Sequence, residues 1–175
     1  MPLKFVLSSV SKGSLFTSTL PALERSEVPT ILLPDSHPFS KFWCNHLISL
    51  SQRGRPFQSV VDALLSIALG NPSWKENARA SNIVSLQAEM TNLLAENPPN
   101  VVVVTGLGEK AYGLHFREFG LWPFVGISYE FIQLWMAAEE GSDIKLGLTA
   151  LLFASLNHEI AHWVQTLVSV FFMLK

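Results

Sequence analysis

The chain has 175 residues, 49% of them hydrophobic and 15% charged, which excludes a disordered or low-complexity protein because apolar burial can offset the entropy of ordering. A formal net charge of −2, with no block of Lys and Arg, leaves no phosphate-neutralising stripe, so no nucleic-acid partner is expected. The single cysteine, Cys44, excludes an intramolecular disulfide and a four-cysteine zinc module.

Residues 1–35 are rich in Ser, Thr and Pro and read as a poorly ordered or extended arm, with residues 36–175 forming one domain. The apolar run Phe5-Val6-Leu7 is too short for a secretory signal, and an intracellular, cytoplasmic protein is expected. Phe42, Trp43, Leu47, Ile48 and Leu50 recur near helical spacing and predict a helix over 40–52. Cys44, beside Trp43 and Leu47, reads as a small buried hydrophobe, and His37, next to Pro38, as a surface loop residue. Further helices are expected over 56–70, closed by Gly70, and over 74–96, ended by Pro98-Pro99.

The pattern then changes. Val101 to Val104 is a β-branched run of the kind a buried strand needs, halted by Thr105-Gly106. The glycines that follow match neither a dinucleotide fingerprint nor a phosphate loop, and read as a hairpin turn with a bulge. Residues 112–119 and 125–134 are read as further strands, with Phe116, Phe119, Phe124, Phe131, Trp122, Trp135 and Trp163 as core. Gly141-Ser142-Asp143 supplies a turn and an N-cap for a long last helix that is apolar around almost its whole circumference. Helices, then strands, then one helix predict an α+β fold with N-terminal helices, a small, mostly antiparallel sheet and a long C-terminal helix.

That last helix carries His158-Glu159-Ile160-Ala161-His162. Positions i and i+4 face the same way, so both imidazoles can reach one ion, and zinc accepts neutral histidine nitrogens. Glu159 is offset around the helix, placed to take a proton from a metal-activated water. At the chain's own His and Glu frequencies, the pattern arises by chance roughly 0.01 times per sequence of this length.

At these residues the chain resembles the zincin metallopeptidases, whose active-site helix presents His-Glu-x-x-His below a small sheet with an edge strand lining the substrate cleft. The resemblance implies a zincin-like α+β domain, with His158 and His162 as Zn2+ ligands, Glu159 as catalytic base, and a peptide or protein substrate extended along a strand, taken as residues 125–134. It covers the motif and, loosely, the strand-then-helix order from Val101. Most zincins take a third ligand from downstream, whereas residues 164–175 contain no His, Asp, Glu or Cys. The third ligand is therefore expected upstream, among Glu130, Glu139, Glu140, Asp143 and His115, or on a continuation of the chain past Lys175. Truncation there is the favoured expectation, and a fold that has lost catalysis is the third. Two rival readings remain: an intramembrane metalloprotease, opposed by the cost of burying His158, Glu159 and His162 in lipid, and a non-catalytic helical interaction module with structural histidines.

Overall fold

The computed structural model describes residues 15–25, 31–51, 98–108, 111–115 and 124–173, together with positions 88, 92 and 96. Within these lie β1 (Leu15–Thr19), α1 (Leu20–Glu24), β2 (Ile31–Leu32), α2 (Pro38–Ser51), β3 (Asn100–Thr105), β4 (Gly113–His115), β5 (Phe124–Ser128), α3 (Tyr129–Ala137) and α4 (Asp143–Met173). The helices expected over 56–70 and 74–96 lie outside the described residues, apart from Ala88, Asn92 and Glu96, which are helical and exposed.

The five strands form one mixed sheet in the order β2-β1-β3-β5-β4, which bears out an α+β fold. β3 is its axis. Val101 to Val104 are all buried because β3 is paired on both edges and covered on both faces. Val101 and Val103 join Leu15, Val125 and Ile127 on the face covered by Phe39 and Trp43 of α2, Ile132 and Trp135 of α3, and Leu152, Leu156 and Ile160 of α4. Val102 and Val104 point the other way, to a smaller cluster with Phe16, Phe124 and Leu23 of α1. There the Phe16 and Phe124 rings meet edge-on, centroids 6.2 Å apart.

Several expectations are corrected. The sheet is not mostly antiparallel: β1, β3 and β5 run parallel, and only β2 and β4 at the two edges are antiparallel to their neighbours. An uninterrupted Val run with no polar alternation is what a strand buried on both faces of a parallel sheet looks like. The segment expected as an arm contains β1, in register with β3 from Leu15 opposite Val101 to Thr19 opposite Thr105. Its Thr19 also caps α1, the hydroxyl accepting from the Ala22 N–H. No hairpin joins β3 to β4, since both pair with β5, and the chain leaves β3 through Gly106, at φ 88°, to reach the far edge. The strand expected over 125–134 stops at Ser128, whose hydroxyl accepts from the Phe131 N–H and starts α3. Cys44 is exposed, and His37 caps α2, its Nδ1 accepting from the Phe39 N–H at 3.2 Å.

The last helix begins where the turn residues place it. Ser142 Oγ accepts from the Lys145 N–H at 3.1 Å and donates to the Glu139 carbonyl at 2.7 Å, with Gly141 at φ 79° in the turn before it. α4 is not packed all round. Leu152, Leu156, Ile160, Trp163 and Val164 form its buried stripe, whereas Ile144, Leu146, Leu151 and Phe153 are exposed. Among the described residues no helix is long and apolar enough to cross a membrane.

Candidate metal centre

The buried stripe of α4 fixes what its other faces present. Leu156 and Ile160 lie one turn apart and pack on the sheet, so the helix can neither rotate nor slide without losing both. His158 and His162, also one turn apart, fall outside that stripe: His158 is exposed and His162 half-buried. Their rings stand nearly perpendicular, 89° apart, with centroids separated by 4.5 Å, and their Nε2 atoms face each other at 3.1 Å. Two ligand nitrogens at about 2.0–2.1 Å from one ion must lie within about 4 Å of each other, and this pair does. The donors suit a borderline divalent ion such as zinc.

Glu159 behaves differently from its neighbours. It is 7% exposed, and burial alone pushes its carboxyl up to about 7, with no hydrogen bond or opposing charge among the described residues to hold it down. A buried carboxylate with no partner among the described residues is costly, so its place on the same turn as His158 and His162 points to a role outside packing. Gly113 of the edge strand β4 lies directly against it. A Cβ built on Gly113 would stand 2.7 Å from both Glu159 Cγ and Glu159 Oε1. The edge strand and Glu159 are therefore in contact only because position 113 has no side chain.

The structure thus brings the His158 and His162 rings together, with Glu159 buried on the same turn of α4, and places most of the expected third ligands elsewhere. Asp143 opens α4, fifteen positions before His158 and hence about 22 Å along the axis at 1.5 Å per residue. Glu139 and Glu140 sit in the turn before it, Glu140 lying 3.6 Å from Lys145 Nζ. Glu130 is engaged at the start of α3, where its own backbone N–H lowers its pKa, helped by Ser128 Oγ, which donates to it at 2.9 Å, and by the Gly106 N–H at 3.4 Å. The His115 backbone belongs to β4, opposite Val125, and its side chain lies outside the described residues. No three His, Cys, Asp or Glu side chains gather into a metal-holding group among the described residues.

Two residues near the motif escape a motif-based reading. Gly113 carries a recognisable signal, because a lone glycine in a strand often marks a close approach by another group. His46 of α2 is 4% exposed, with its ring 4.9 Å from that of Phe153 on α4, and among the described residues neither ring nitrogen has a partner in hydrogen-bond geometry. Burial lowers its pKa to about 4, opposed in part by Asn157, which immediately precedes His158. Helical periodicity alone puts His46 on no particular face of α2. Comparison of the chain with protein families, with characterised proteins and with solved structures finds no match, so the site stands on its geometry.

Proposed function

We propose that the chain is a zinc-dependent peptidase whose metal is held by His158 and His162 and whose base is Glu159. The observation that carries this reading is the pair of Nε2 atoms 3.1 Å apart on the same turn of α4 as a buried carboxylate with no partner among the described residues. Zinc, when bound, would polarise the scissile carbonyl and acidify a water. Glu159 takes the proton from the attacking water and delivers it to the leaving amine, a task suited to a carboxyl held near neutrality. The peptide cannot lie along residues 125–134, because β5 is paired on both sides. Gly113–His115 is the strand that faces α4 at the motif, and a substrate in extended form would pair along its outer edge, main chain to main chain.

Metal content and hydrolysis of a casein substrate test the reading together. The wild-type chain should hold close to one zinc, His162→Ala none, and Glu159→Gln the full complement with hydrolysis abolished. Hydrolysis that persists in a zinc-free His158→Ala/His162→Ala variant refutes the assignment. One observation favours the non-catalytic reading: Ile144 and Leu151, two turns apart on one face of α4, stand exposed, where a partner helix could cover them. A chain that binds no zinc after reconstitution and forms a stable oligomer in sedimentation supports that alternative.

A further inference from the structure

The contact between β4 and Glu159 joins two elements that are each held in place by other means. Gly113 sits in the ladder with β5, opposite Ile127, and the neighbouring Tyr112 carbonyl accepts from the Ser128 N–H at 3.0 Å. α4 is fixed by Leu156 and Ile160. Glu159 Cδ would lie 3.0 Å from a Cβ at position 113, and Cγ and Oε1 closer still. Neither backbone can yield, so the one part free to move is the Glu159 side chain.

We propose that Gly113 is the positioning residue for the base: its bare α-carbon forms the seat that holds the Glu159 carboxylate under the edge strand, on the turn of α4 that carries the two imidazoles. The inference rests on the peptidase reading above. A methyl group at position 113 turns the carboxylate out of the seat, while the strand, the helix and both metal-binding histidines stay where they are. Gly126 is the internal contrast. A Cβ there would meet the Leu114 carbonyl oxygen at 3.1 Å and Val104 Cγ2 at 3.3 Å, neighbours that cannot swing away, so that glycine serves the packing of the sheet.

Gly113→Ala should keep close to one zinc per chain and leave KM for a quenched fluorescent casein within about twofold, while kcat falls roughly 10–100-fold, the loss expected of a reacting group displaced by about an ångström. Thermal unfolding supplies a readout that needs no turnover. Gly113→Ala should lower Tm in the wild-type background and leave it unchanged or raised in the Glu159→Ala background, where the seat is empty and alanine is the better strand residue. Gly126→Ala should lower Tm equally in both. Loss of zinc in Gly113→Ala, an unchanged kcat, or an equal Tm loss in both backgrounds overturns the proposal. A wild-type chain that holds zinc and cleaves no peptide sinks the peptidase reading instead, and the unfolding cycle then decides on its own whether the seat exists.

Discussion

Glu159 is held in a place that folding alone would not choose for a carboxylate. At 7% exposure it either stays protonated or bears its charge with no compensating partner among the described residues, and both cost stability at neutral pH. Glu159→Gln should therefore stabilise the metal-free chain at pH 8 by about 1 kcal/mol or more, seen as a higher midpoint in urea; an unchanged or lower midpoint would mean that the carboxylate has a stabilising partner. His46 makes the opposite kind of demand. Above about pH 6.5 its ring is neutral in both the folded and the unfolded chain. As the pH falls towards about 4, the unfolded chain takes up a proton that the folded chain refuses, so stability declines through that window, by on the order of 3 kcal/mol in all. His46→Phe, which keeps the ring beside Phe42, Trp43 and Phe153, should flatten the stability profile between pH 6.5 and 4. Identical slopes for the two chains would exclude His46 as the source. At this scale the motif residues were legible because chemistry demands their spacing. Gly113 and His46 were less so, since the one depends on which strand passes over the helix and the other on which face of α2 turns inward.

Between α3 and α4 the chain turns on a single lysine. Lys145, in the first turn of α4, is buried and donates from Nζ to the Trp135 carbonyl at 2.6 Å, closing the end of α3, while the same ammonium lies 4.1 Å from the centroid of the Trp135 ring. Trp135 returns the contact: its Nε1–H donates to Thr149 Oγ1 at 2.9 Å, and that hydroxyl donates to the Lys145 carbonyl. Lys145→Ala removes the carbonyl's charged donor and the cation over the ring, and should cost about 2–3 kcal/mol. Lys145→Met keeps the apolar stem and should recover part of that loss in the same unfolding measurement; full recovery would show that the charge contributes nothing. Helices α2 and α4 were legible from their apolar spacing and the turn before α4 from its Gly-Ser-Asp. The strand-to-helix switch at Ser128 was obscured because the aromatic and β-branched residues of α3 suit a strand equally well, and only the cap at Ser128 separates the two. Strand partners were beyond local reading, for a run such as Val101 to Val104 says that it is buried and not by what.

The molecule as a whole depends on a strand that its N-terminal composition conceals. β1 fills the flank of β3, and its Leu15 and Phe16 enter the cores on opposite faces of the sheet. Deleting residues 1–20 would strip that flank, expose an apolar parallel edge on β3 and remove both side chains. The shortened chain should aggregate on expression, and a soluble, cooperatively unfolding product would show that β1 is dispensable. Val103→Ala, at the axis of the sheet, should cost on the order of 2 kcal/mol, whereas the same change at exposed Ile31 on the β2 edge should leave the midpoint within about 0.5 kcal/mol.

Pairing Leu15 with Val101 also sets an order in time. During synthesis at about 5–20 residues per second, β1 leaves the ribosome roughly 4–16 s before β3 can lie beside it, and β5 comes later still. Through that interval β1, the first of the described strands, has only the two-residue β2 to pair with, and Leu15 and Phe16 stay without the cores they later enter.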